Sequence, residues 1–293
     1  LESKQIGAPF PHVAITKGAF PPKTEESLGK YLRAVANVKV ESVKTVLRAA
    51  ALAVLEEISF TRKDGQYLRW DHRSGRRQGE KPFNKGPIKD FDSAIRGKLT
   101  QFLDDLDAGP TLLDFASTTR RGKIRIVCGS CLEELPKLPT NSFDALMTSP
   151  PYCNRYDYTR TYALELALLG IDEAGLRTLR QRMVSCTVEN REKEGLDALL
   201  PPATIARAKA VFQSQELLHH IVDYLEALKE EDQLNNNGIP RMVKNYFLEL
   251  TLTLIECQRI LKAGAPFIMV NDNVRYAGIS IPVDLILSRI AEE

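Results

Sequence analysis

The sequence predicts an α/β fold with a helical N-terminal region and a helical insertion, and three observations carry that reading. Lys123-Ile-Arg-Ile-Val-Cys-Gly129 and Phe143-Asp-Ala-Leu-Met-Thr148 read as strands with a short helix-forming stretch between them, the strand, helix, strand order of a parallel sheet. A long amphipathic stretch, about 242 to 262, leads through Gly264 to a third strand at Pro266-Phe-Ile-Met-Val270. Between the second and third strands, residues 154 to about 236 are charged and helix-forming with no convincing strand.

Taken in order, residues 1 to about 30 hold Pro9, Pro11, Pro21 and Pro22 and read as an extended entry segment. From about Glu26 to Ile58 strong helix formers with an apolar stripe at three-to-four spacing predict a packed helix. Residues 61 to 89 then read as a basic, aromatic loop: Arg62, Lys63, Arg69, Arg73, Arg76 and Arg77 are interleaved with Tyr67, Trp70 and Phe83 and broken by glycines. A helix over about 90–107 and a turn at Gly109-Pro110 precede the first strand, and a short helix through Leu132-Glu-Glu-Leu135 precedes the second. The insertion ends at the turn-like Asn235-Asn-Asn-Gly-Ile-Pro240, and a helix begins near Pro282. The predicted boundaries are a mainly helical region over 1–120 and an α/β core over 121–293, with the insertion at about 154–240.

A chain of 293 residues with 43% hydrophobic and 27% charged residues can bury a substantial core. Its net charge of +2 is too mild to imply a polyanionic partner by itself, so that argument falls to the local basic cluster. Cys128-Gly-Ser-Cys131 lacks a second pair, and the four histidines are too scattered to complete a zinc site, so no metal is expected and the cysteines read as reduced thiols. No stretch approaches the roughly 20 apolar residues of a membrane span, and no signal pattern opens the chain, so the expectation is a cytoplasmic protein without a membrane partner.

The chemistry points to Thr148-Ser-Pro-Pro-Tyr152, at the carboxyl end of a predicted parallel strand, where ligands of open α/β sheets bind. Consecutive prolines fix a rigid extended turn that presents carbonyls instead of continuing a ladder. An exocyclic amine is a poor nucleophile because its lone pair is delocalised. The Ser149 hydroxyl and Pro150 carbonyl can hold its protons and orient the nitrogen, while Tyr152 stacks on the base.

This motif resembles the (Asp/Asn/Ser)-Pro-Pro-(Tyr/Phe) signature of S-adenosylmethionine-dependent amino-methyltransferases. The preceding Ile126-Val-Cys-Gly-Ser-Cys-Leu-Glu-Glu-Leu-Pro-Lys-Leu-Pro-Thr-Asn-Ser-Phe-Asp-Ala-Leu-Met147 is similar to the segment these enzymes run into the catalytic strand. The resemblance implies a Rossmann-like class I methyltransferase fold, DNA as partner and S-adenosylmethionine as cofactor. It also implies Ser149, Pro150, Pro151 and Tyr152 as catalytic residues, and Gly129, Ser130, Thr148 and Ser149 near the cofactor. The Ser form favours cytosine-N4 over adenine-N6 methylation; RNA guanine-N2 and protein glutamine methylation use related motifs. Arg62, Lys63, Arg69, Arg73, Arg76 and Arg77 are expected to contact nucleic acid, since a flipped target requires its flanking backbone to be gripped.

Two departures accompany the resemblance. The family has Asp where this chain has Ser130, and its Gly-rich cofactor loop is absent; Leu112-Leu-Asp-Phe-Ala-Ser-Thr-Thr119 imitates it only superficially and reads as a helix terminus. The loop is therefore expected in a segment outside this sequence or on a second polypeptide, and a subunit or pseudoenzyme that binds DNA or a partner is the rival reading. Cys153 adjoins the motif but lacks the Pro-Cys order of covalent C5 chemistry, and Asn271-Asp-Asn273, after the third strand, could line the same cleft, although such a cluster is more often a plain turn.

Overall fold

The computed structural model describes residues 9–64, 67–107 and 122–293. The Gly109-Pro110 turn and the 112–119 segment lie outside them. The chain forms two compact units, one from the described residues of Leu1–Arg125 with Tyr158–Leu176, the other from Ile126–Asp157 with Arg177–Glu293.

The first unit contains α1 (Pro22–Ala36), α2 (Glu41–Val54), β1 (Thr61–Asp64), β2 (Tyr67–Trp70) and α3 (Phe91–Asp107). The single helix expected over 26–58 is two helices. The break falls at Asn37 and the β-branched Val38 and Val40, all weak helix formers, and the Asn37 amide caps α1 by donating to the Ala34 carbonyl at 3.1 Å. The basic loop begins as an antiparallel hairpin, with Arg62 opposite Arg69 and Thr61 opposite Trp70. Its charges concealed the β-forming Thr61, Tyr67 and Trp70 from a reading of composition. Phe10, Phe20, Leu28, Leu55, Ile58 and Phe91 build this unit's core together with Leu164 and Leu176.

The second unit contains β3 (Leu146–Thr148), α4 (Pro202–Gln213), α5 (Glu216–Glu230), α6 (Ile239–Ile260), β4 (Phe267–Met269), β5 (Val274–Tyr276), β6 (Ile279–Ile281) and α7 (Val283–Glu292). Helix α6 is buried around most of its circumference, Asn245, Glu249, Thr251 and Glu256 included, and forms the centre of the unit. Tyr246, Phe247, Met242 and Leu250 are fully buried, each burial contributing roughly 1.5–3 kcal/mol. Within residues 154 to 240 the chain forms helices, α4 and α5 among them.

The unit is mixed α/β. Among the described residues its parallel pairing is β3 with β4, in register Leu146 to Phe267 and Thr148 to Met269, extended by a bridge from Phe143 to Leu261. The expected strand over 123–129 differs: it pairs with no other strand among the described residues, and Ile124 and Ile126 are 90% and 87% exposed. Alternating β-branched residues supply a face, but a strand also needs a ladder neighbour. Strands β5 and β6 form a hairpin unforeseen in the sequence, its Ala277-Gly278 turn having positive φ at both positions (47° and 84°), as a type I′ turn requires.

Candidate active site

Ser149-Pro-Pro-Tyr152 leaves the carboxyl end of β3, and both ends of the turn are held. At its start the Val270 amide donates to the Thr148 carbonyl at 2.9 Å, continuing the parallel pairing to the edge of the motif. At its end Cys153 is fully buried in the core of the unit, and the Tyr276 hydroxyl donates to the Cys153 carbonyl at 2.5 Å. Between these points Ser149 is exposed while Pro150, Pro151 and Tyr152 are half-buried. The Ser149 hydroxyl donates to the Tyr152 phenol oxygen at 3.5 Å, a long contact that a ligand can replace. The turn therefore offers an accessible hydroxyl, a fixed carbonyl and an aromatic ring on a preorganised backbone.

Burial argues against Cys153 as a nucleophile. The side chain has no solvent exposure, and burial raises its thiol above the ordinary cysteine value, with the neighbouring Cys186 adding to the shift, which disfavours the reactive thiolate. Burial likewise pushes the Cys186 thiol up to about 12. Tyr276 is also raised by burial, so its phenol remains a hydrogen-bond donor at any working pH.

Beyond the motif, the Asn154 side chain accepts from the Tyr156 amide at 3.1 Å, closing a small turn around Arg155, whose φ is +66°. The Asn271 amide group donates to the Tyr246 hydroxyl at 2.9 Å, and Asn273 caps α7 by accepting from the Asp284 amide at 3.2 Å. These bonds account for the Asn271 to Asn273 cluster as local structure.

The residues expected near a cofactor are not gathered in one cavity. Ser130 is the N-cap of a one-turn helix, Cys131–Glu134, and its hydroxyl caps no amide there. It lines a cleft of about 480 Å³ walled by Glu133, Arg177, Gln181, Arg182, Arg191 and Lys193, not by Thr148 or Ser149. Gly129 lies against the Glu134 side chain, which a Cβ at this position would meet at 2.6 Å. Cations on the cleft are engaged by neighbouring carboxylates. Arg182 pairs with Glu133, which its guanidinium holds below the ordinary carboxylate range, and Lys193 bonds the buried Glu249 at 2.7 Å, where Ser185 also donates. Such a wall could bind polar groups but has neither an aromatic face for adenine nor a glycine cradle. The described residues thus do not build a complete site for S-adenosylmethionine.

The basic hairpin and loop sort into two sets. Asp71, buried, receives the Arg73 amide and guanidinium at 2.7–3.0 Å and the Lys85 amide at 2.6 Å. The Arg73 bond holds its carboxyl well below the usual range, against the opposing effect of burial. Arg76 lies 3.4 Å over the Trp70 ring and donates to the Ile15 and Lys17 carbonyls at 2.9 Å. Arg69 pairs with Asp64 at 3.0 Å over the Phe83 ring, and Lys63 pairs with Glu165 at 2.5 Å. Arg62 and Arg77 are exposed, and neither makes an ion pair among the described residues. Composition identified the cluster but could not tell the cations that shape the loop from those it presents to solvent.

In comparisons with known proteins the chain is similar along nearly its whole length to Type II methyltransferases. It is 52% identical over 280 residues to Type II methyltransferase M.AvaI of Nostoc sp. and, equally, to that of Anabaena variabilis, covering 95% of this chain and 56% of those proteins. It is 40% identical over 312 aligned residues to Type II methyltransferase M.BsoBI of Geobacillus stearothermophilus, covering all of this chain and 60% of that protein. The chain thus spans rather more than half the length of the curated relatives it matches. No family model matches, and no solved structure matches. The comparisons lend no support to a second polypeptide. No helix among the described residues is long and apolar enough to cross a membrane, and none of their His, Cys, Asp and Glu clusters could hold a metal ion.

Proposed function

We infer that this chain carries the substrate-amine side of a site-specific DNA methyltransferase that transfers a methyl group from S-adenosylmethionine to N4 of cytosine, on a Rossmann-like core. The observation that carries the reading is the Ser149-Pro-Pro-Tyr152 turn at the carboxyl end of a parallel strand, fixed at Thr148 and Cys153 and open between them. The similarity to Type II methyltransferases supports the class; Ser in place of Asp at the head of the motif favours cytosine.

In this reading a flipped cytosine stacks on Tyr152, and its exocyclic amine donates to the Ser149 hydroxyl and the Pro150 carbonyl. The two acceptors turn the nitrogen lone pair out of conjugation and toward the incoming methyl group. The buried, protonated Cys153 is consistent with direct attack by the amine and no covalent enzyme intermediate. Gly129, Ser130 and Thr148 would supply part of the donor side. Arg62 and Arg77 would grip the DNA backbone directly, with Lys63, Arg69, Arg73 and Arg76 shaping the loop that presents them.

The test uses the complete protein. Base stacking is worth ~1–3 kcal/mol, so Tyr152→Ala should lower methylation by about one to two powers of ten while Tyr152→Phe stays mild. Ser149→Ala should lower turnover more than cofactor affinity. Nucleoside mass spectrometry of methylated DNA reads the product, and N6-methyladenine would refute the choice of base. Wild-type rates in Ser149→Ala and Tyr152→Ala would make the turn structural and remove the main support for this function.

A further inference from the structure

Among the described residues, four non-glycine residues have a left-handed backbone: Asn141, Arg155, Asp232 and Ala277. Asn and Asp adopt this conformation readily, and Ala277 sits in the hairpin turn that demands it. Arg155 is the exception, a long side chain at φ +66° three residues after Tyr152. The Asn154 to Tyr156 bond imposes the conformation, so the strain is built in locally.

The side chain is as poorly satisfied as the backbone is strained. Its Nε is buried and meets no acceptor, and its Nη1 donates to the Asn235 side chain at 3.1 Å. No carboxylate of the described residues forms an ion pair with it, whereas the neighbouring Asp157 is paired with Arg180 at 3.0 Å. A half-buried guanidinium without an anion, held in a costly backbone conformation beside an accessible turn, is poised for an anion that arrives with the substrate.

We propose that Arg155 is a substrate-positioning residue that binds a phosphodiester flanking the target base. This rests on the reading of Ser149 to Tyr152 as the catalytic turn. The fork of the guanidinium matches two phosphate oxygens, and such a bond next to Tyr152 fixes the backbone of the nucleotide that has left the stack. The strained turn keeps the cation there before DNA binds.

The experiment compares the complete wild-type protein with Arg155→Asn and Arg155→Lys, using unmethylated bacterial genomic DNA and tritiated S-adenosylmethionine. Asparagine accepts the left-handed backbone, so Arg155→Asn removes the charge without adding strain. The expected result is a KM for DNA raised about tenfold or more, a salt dependence shallower by about one unit, and unchanged cofactor affinity. Arg155→Lys should keep the wild-type slope and recover part of the KM. Unchanged KM and slope in Arg155→Asn, with Ser149→Ala still impaired, overturn this proposal alone; wild-type rates in Ser149→Ala and Tyr152→Ala overturn the reading beneath it. A fall in cofactor affinity with DNA KM unchanged would give Arg155 to the methionine carboxylate and also overturn it. If Arg155→Asn does not fold, Arg155→Gly takes its place, and failure of both to fold makes Arg155 a structural residue and ends the proposal.

Discussion

Tyr276 does for the end of the Ser149 to Tyr152 turn what the strand ladder does for its beginning. Its hydroxyl bonds a carbonyl 123 positions away, in a residue with no solvent exposure. Removing one partner of such a bond leaves a buried acceptor with nothing to replace it. Tyr276→Phe keeps the ring in the core and should cost about 1–2 kcal/mol in denaturant unfolding, with a fall in turnover larger than any change in KM, because Ser149 and the Pro150 carbonyl lose their fixed anchor. Unchanged unfolding and unchanged turnover would make the bond dispensable. No property of residue 276 in the sequence announces this. A turn after β3 was legible because Pro-Pro-Tyr carries its rigidity in its own composition, whereas its anchors at Val270 and Tyr276, and the strain at Arg155, follow from pairings between distant segments or from one local turn.

The basic hairpin shows what an element adds to a charge count. Its arginines are of two kinds, those that bond Asp71, Asp64, Trp70 or backbone carbonyls and those that face water, and substitution should separate them. Arg73→Ala breaks two side-chain bonds to a buried carboxylate and should lower the denaturant midpoint for unfolding of this unit. Arg62→Ala with Arg77→Ala should leave unfolding unchanged and flatten the salt dependence of DNA binding by about two units. The same carboxylate sets an acid response. Asp71 has its folded value depressed, so its contribution is fully present above the ordinary carboxylate value and is lost as pH falls toward the folded one. Asp71→Asn should therefore be less stable near neutrality, with a flatter acid limb below about pH 4 in unfolding followed by circular dichroism. Helix boundaries at 91–107 and 239–260 were legible because periodicity and the flanking Gly and Pro residues act locally. The hairpin was not, because its two strands are too short and too charged to read as strands.

At the scale of the whole molecule, the two units keep separate apolar cores, one around Leu28 and Phe91, the other around α6. The composition along the chain suggested a boundary near residue 120, and the assignment of Tyr158–Leu176 to the first unit is a matter of tertiary packing that composition does not show. The strands β3 and β4 were legible in two apolar runs; their pairing with each other and the exposure of Ile124 and Ile126 were not, since a sequence specifies a strand's faces more clearly than its neighbours. The burial of the cysteines has a practical consequence. Cys153, Cys186 and Cys257 are buried, Cys131 is partly covered with its thiol raised by burial, and Cys128 is exposed. Under native conditions a maleimide dye should therefore add once, at Cys128, as read by peptide mass spectrometry, and a second adduct on Cys153 would contradict the burial described above. Within this chain Cys128 is thus a natural attachment point, next to Gly129 and Ser130 and outside the Ser149 to Tyr152 turn, from which a fluorophore can report on ligands entering that cleft without any engineered cysteine.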